Sequence, residues 1–290
     1  MGEPERSVGF DGAFRVLDPK ICNNGRPGIF LVSENLVGGE GGRGIAFKDV
    51  PKPTDNFYAG STAQKWCREF YERHFSDAEK AAILSTDKSD EAYVKMRTWK
   101  LTGGRECDFE CPFVAAPGIL QGDKLFPLSV EEADCAAYGF ADDASRLAYL
   151  RGKPAAWWLR SPHAPDFPKD VGVVFFNGWL LDFVENKNSV FGKAPVCMRP
   201  ALNLDSSKIA DILPAGGQSG ERGYNEWVLR FEGESEEEAR GKLKKYAFGR
   251  RVCTEQKAAS EELGPFARLM MTVFLAFLDR KRKKMQRDKR

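Results

Sequence analysis

Hydrophobic and polar positions change period several times along the chain, and each change marks an element. FRVL (14–17) and GIFLV (28–32) are apolar, β-prone runs around the turn-forming NNGRPG, so a pair of strands is expected there. A helical period follows. Ser61 with Gln64 has capping-box spacing, and Trp66, Cys67, Phe70 and His74 fall on one helical face. Ser76 with Glu79 repeats the box and opens a second short helix, SDAEKAAIL. Residues 87–122, with Gly103–Gly104 and CDFECPF at 107–113, have no sustained period and read as an insertion or long loop.

Order returns with the strand-like DKLFPLS (123–129). Ser129 with Glu132 then caps a predicted helix, VEEADCAAYGF, and DDASRLAYL predicts another. A turn at 152–154 leads into AWWLRSP (156–162). VGVVFF and WLLDF flank Asn177–Gly178, a pair suited to a type I′ hairpin turn, and VCMRPALNL (196–204) reads as the last strand of the unit. Strands, then helices, then clustered strands predict an α+β fold. The expected organisation is a domain over 1–207, a linker over 208–227 (LPAGGQSGERGYN lies within it) and a C-terminal extension over 228–290. In that extension EWVLRF reads as a strand and Ser235 with Glu238 caps a helix.

Within AWWLRSP, strand alternation puts Trp157 and Leu159 on one face and Trp158 and Arg160 on the other. A core strand is the expected role, with Arg160 needing a carboxylate or carbonyl partner once buried. Asp182, Glu185 and Asp205 are its candidate partners.

Composition adds a boundary to this picture. The 21 Phe and 6 Trp supply a sizeable core and argue against wholesale disorder. Net charge is +2, but residues 279–290 (DRKRKKMQRDKR) alone carry +6, which leaves −4 for the rest. The N-terminus has no apolar signal region, and the longest apolar run, LMMTVFLAFL at 269–278, is too short to cross a bilayer. A cytoplasmic chain with seven scattered, reduced cysteines is expected. The tail is expected to be a packed C-terminal helix with a solvated charged end. Peripheral contact with an anionic membrane surface is the second reading. Nucleic acid is disfavoured, because no aromatic residue interleaves the basic ones to stack on bases.

No catalytic motif is complete. Gly39, Gly41 and Gly44 formally spell G-x-G-x-x-G, but Pro51 and Pro53 forbid the helix that would hold a pyrophosphate. Cys107 and Cys111 lack a second ligand pair for zinc, and two histidines, His74 and His163, cannot build a His-rich metal site. Ser85-Thr86-Asp87-Lys88 fits S-x-x-K without its companion elements and reads as a helix end running into a polar loop. Neither metal nor cofactor is expected.

The ordered series FRVLD, FLVSENLV, STAQKWCREFYERHFSDAEKAAIL, KLFPLSVEEA, WWLRSP and VCMRPALNL resembles a bacterial domain family of unknown function whose hallmark is WWLRSPG…GVRPAL. The resemblance spans roughly residues 10–205. Here His163 replaces the family's Gly, Cys197-Met198 replaces Gly-Val, and Trp66-Cys67-Arg68 replaces W-L-N. The resemblance implies a C-type-lectin-like fold of the kind shared with formylglycine-generating enzymes. Small twisted antiparallel sheets would be flanked by helices, with Trp157, Trp158, Arg160 and Arg199 as structural motif residues. It also implies that ligands are met by the late region, 163–189.

A non-catalytic module recognising a protein, peptide or glycan is therefore expected, with a diversified, variable surface as one form of it. His163, Asp166, Phe176, Asn177, Trp179, Asp182, Glu185, Asn186 and Asn188 supply the aromatic surface and hydrogen bonding of a recognition patch. Two alternatives stand beside it. One is a copper oxidase resembling formylglycine-generating enzymes, using Cys197 with Cys253. The other is a membrane-surface adaptor acting through residues 264–290.

Overall fold

The computed structural model describes residues 12–248 except 24, 50–54, 101–105, 165–166, 186–189, 192–193, 215–225 and 243. The first strands are β1 (Ala13–Asn23) and β2 (Arg26–Ser33), which consume most of the predicted turn. Helices α1 (Thr62–His74) and α2 (Asp77–Ala82) follow. Ser61 accepts from the Gln64 N–H, and Ser76 forms the full capping box with Glu79. Strands β3 (Thr86–Asp90), β4 (Tyr93–Lys100), β5 (Glu106–Phe113), β6 (Ala116–Asp123) and β7 (Phe126–Pro127) come next, then α3 (Val130–Ala133) and α4 (Asp143–Arg146). Strands β8 (Tyr149–Leu150), β9 (Lys153–Pro154), β10 (Ala156–Pro162), β11 (Asp170–Val174), β12 (Leu180–Glu185), β13 (Val190–Phe191), β14 (Ala194–Cys197) and β15 (Pro200–Asp205) form the late region. The described chain closes with β16 (Ile209–Pro214), β17 (Glu226–Phe231), α5 (Glu236–Gly241) and β18 (Lys245–Phe248).

Two large sheets organise these strands. One has the order β16-β17-β18-β1-β2-β15-β7, and the other β12-β11-β10-β14-β13. The pairs β3-β6, β4-β5 and β8-β9 stand as two-stranded sheets. VCMRPALNL is two strands rather than one. It pairs with β10 as β14 in one sheet, then with β2 as β15 in the other, and the chain changes sheets at Met198 and Arg199. Strands β10 and β14 run parallel, with Trp157 opposite Cys197.

The α+β, lectin-like expectation is corrected: the chain is largely β. Capping boxes located the helix starts but not their lengths. The eleven-residue helix expected after Ser129 is the four-residue α3, and the one expected at 142–150 stops at Arg146 before β8. Strands β3 to β6 occupy the stretch expected to be an insertion or long loop, so Ser85–Lys88 runs into β3 and not off a helix. Residues beyond 207 add β16, β17 and β18 to the sheet that holds β1, with Ala13 paired to Lys245.

All seven residues of β10 are buried, as a strand covered on both faces requires. Alternation sends the two indoles to different partners. Trp158 Nε1–H donates to the Ile45 carbonyl at 2.6 Å, and Trp157 Nε1–H donates to the Arg146 carbonyl at 3.3 Å. The Gly39–Gly44 loop turns back on itself, Gly39 N–H donating to Arg43 O at 2.8 Å, and delivers Ile45 to Trp158. Met96–Lys100 and Glu106–Glu110 belong to a different compact unit from the rest of the described residues. Among the described residues no helix is long and apolar enough to cross a membrane.

Candidate functional site

The β11–β12 hairpin forms as the sequence predicts, with a different turn. Its loop is Phe176–Asn177–Gly178, closed by Phe175 N–H donating to Trp179 O at 2.7 Å and by Gly178 N–H donating to Phe175 O at 2.8 Å. Gly178 has φ 84° and Asn177 does not adopt positive φ, so this is a three-residue loop ending in a left-handed glycine, not the two-residue type I′ form. Asn177 Oδ1 accepts from the Trp179 N–H at 3.2 Å.

The tip is held from below. A Cβ on Gly178 would sit 1.7 Å from the Asp143 carbonyl oxygen, closer than any contact allows. Arg146, almost wholly buried, donates from Nε to the Gly178 carbonyl at 2.9 Å. Its Nη1 reaches Asp134 at 2.9 Å, and Nη2 bonds Asp143. On this support Phe176, Asn177 and Trp179 are half-buried, and the Phe175 and Phe176 rings lie 4.0 Å apart.

His163 and Asp182, the first and sixth of the expected patch residues, lie inside. His163 Nδ1 is 2.8 Å from the Pro112 carbonyl, which can only accept, so the proton sits on Nδ1; Asp182 Oδ2 is 3.4 Å from the same nitrogen. The His163 ring stacks on Phe167 at 4.6 Å. Asn56, which sequence reasoning missed, ties down this loop by donating to the carbonyls of His163, Phe167 and Asp170. Glu185 ends β12 opposite Asp170. Asp166, Asn186 and Asn188 lie outside the described residues. The structure thus brings Phe176, Asn177 and Trp179 together at one tip and puts His163 and Asp182 into the packing beneath the 163–170 loop.

Arg160 is wholly buried, and its partners correct the expectation of Asp182, Glu185 or Asp205. Nε and Nη2 bond Asp90 at 2.9 and 2.7 Å, and Nη1 donates to Glu132 at 2.6 Å and to the Pro127 carbonyl at 2.9 Å. Lys88 bonds the other Glu132 oxygen. Burial alone would raise the Glu132 carboxyl, but Arg160 and Lys88 outweigh it and lower it to about 2. Asp90 and Glu132 are 70 and 28 positions from Arg160, and local pattern carries no signal for such pairs. Arg199, also buried, donates from Nε to the Ser33 carbonyl at 3.0 Å and lies over the Trp157 ring at 5.0 Å.

Cys67, Cys111, Cys135 and Cys197 are reduced. Burial pushes both the Cys67 and the Cys197 thiol up to about 12, which keeps them protonated at neutral pH. Cys111 donates weakly to the Leu180 carbonyl at 3.8 Å. Among the described residues no group of three or more His, Cys, Asp or Glu side chains could hold a metal ion. Cys253 and residues 264–290 lie outside the described residues.

Searches of curated proteins and of solved structures return no match. Residues 29–206, from β2 to just past β15, match the family model described as a domain of unknown function, DUF6273, and the chain belongs to that family.

Proposed function

We propose that this chain is a non-catalytic recognition module, meeting a protein, peptide or glycan ligand through the tip of the β11–β12 hairpin. One observation carries the reading: Phe176, Asn177 and Trp179 stand half-buried on a loop whose glycine is seated on Asp143 and whose carbonyl is held by Arg146. Aromatic side chains offer large contact area at low entropic cost, and a loop fixed before binding gives up little freedom on binding. The buried charges nearest the tip are engaged in structural pairs, so recognition rests on aromatic surface and amide hydrogen bonding rather than on a charged pocket.

The test is a selection of the full chain against a displayed peptide library and a glycan array, repeated with Phe176→Ala/Trp179→Ala. The expected result is a ligand whose affinity falls at least about tenfold in the double variant, with the thermal midpoint little changed. Ligands that bind both forms equally, or none dependent on these two residues, overturn the reading.

A further inference from the structure

Tyr93 and Lys95, at the start of β4, end on a carboxylate that also serves the hairpin tip. That carboxylate is Asp134, which follows α3 and whose side chain is 8% exposed. Its Oδ2 accepts from Tyr93 Oη–H and from Lys95 Nζ–H, each at 2.5 Å. Its Oδ1 accepts from Lys95 at 2.8 Å and from Arg146 Nη1–H at 2.9 Å. Each carboxylate oxygen has two lone pairs, so Asp134 is fully used and its orientation is set jointly by β4 and α4.

Arg146 carries that orientation onward. A guanidinium is planar and rigid, so holding Nη1 on Asp134 and Nη2 on Asp143 also fixes the line along which Nε–H points. That line meets the Gly178 carbonyl at 2.9 Å. We infer that Tyr93 and Lys95 are positioning residues for the β11–β12 tip, acting through Asp134 and Arg146. Residues of β4, far ahead of the late region in the chain, thereby set how firmly the loop that carries Phe176, Asn177 and Trp179 is held. The consequence for ligand affinity rests on the recognition role proposed above; the consequence for the backbone of the tip does not.

Hydrogen exchange on the full chain tests this with Tyr93→Phe/Lys95→Met. Exchange at the Gly178 and Trp179 amides should rise about threefold to fivefold, with β10 amides unchanged, which separates a local loosening from a general loss of stability. Lys95→Arg, which keeps the charge, should leave the tip as in the wild type. Lys88→Met, which removes the matching lysine of Glu132, should also leave it unmoved. Added to Asp134→Asn, the two β4 substitutions should have no further effect, because the link they act through is already cut. An unchanged Gly178 amide, a rise that Lys88→Met reproduces, or one that adds in full to that of Asp134→Asn overturns the inference. A ligand that depends on Phe176 and Trp179 should bind the β4 double variant about threefold more weakly. Unchanged affinity beside faster exchange overturns the positioning role and leaves the recognition reading standing. If no such ligand is found, the recognition reading falls, and exchange by itself upholds or overturns the link from β4 to the tip.

Discussion

Glu132 and Asp134, two residues apart at α3 and its end, each join a buried arginine to a lysine, and they do so in different settings. Glu132 bonds Arg160 from β10 and Lys88 from β3; Asp134 bonds Arg146 from α4 and Lys95 from β4. In the first cluster Asp90, the second carboxylate, is as buried as Glu132. In the second, the corresponding Asp143 is about one-third exposed and the arginine reaches on to the hairpin tip. One device therefore serves two ends. Around Glu132 it neutralises a charge inside the core, and around Asp134 it fixes elements that face solvent. A buried ion pair is costly to break and gives little net gain when formed, so its value here is positional.

Four measurements break or sharpen that contrast. The largest effect is expected from Glu132→Ala, which leaves Arg160 with half its counter-charge in the core. Urea unfolding should show a loss of about 4 kcal/mol. An equal loss for Asp134→Ala would remove the distinction. Acid comes next. Because the Glu132 carboxyl is depressed in the folded protein, its contribution is complete above the unfolded value of 4.5 and is lost as pH falls toward about 2. Stability measured from pH 5 to 2 should drop by about 3 kcal/mol more in the wild type than in Glu132→Gln. Third, Asp134→Ala should cost about 2 kcal/mol, because Asp143 and water remain to Arg146, and should speed amide exchange at Gly178. The smallest effects belong to the lysines. Lys88→Ala and Lys95→Ala should each cost under about 1 kcal/mol, with Lys95, the less exposed of the two, costing more.

Local chemistry was legible along the chain wherever it was periodic. The caps at Ser61, Ser76, Ser129 and Ser235, the β11–β12 hairpin and the buried strand β10 all stand where residue pattern puts them. A capping box fixes where a helix begins, however, and says nothing of how soon tertiary packing ends it, so α3 and α4 came out as single turns. Strands β3 to β6 were hidden because their exposed positions mix polar and apolar side chains, Asp87, Lys88 and Ser89 on β3, Val94 and Met96 on β4, Asp108 and Glu110 on β5 and Gln121 on β6, so no clean apolar alternation runs through them. The ion pairs of Arg160 depend on residues far off in the chain, and only the fold brings them together. At the candidate site, residue type located the aromatic tip at 176–179. It could not show that His163 and Asp182 turn inward, because burial is decided by the Asn56 and Pro112 segments that close over them.

The seating of Gly178 on Asp143 has a consequence for how this protein can change. A side chain at 178 would collide with backbone, so that position tolerates no substitution without movement of α4. The residues on either side of it carry the half-exposed side chains, and the loop's path is set by the glycine and by the Arg146 bond to its carbonyl. Under the recognition role proposed above, specificity would be rewritten at 176, 177 and 179 with the scaffold left standing, an arrangement in which one immovable position makes its neighbours evolvable.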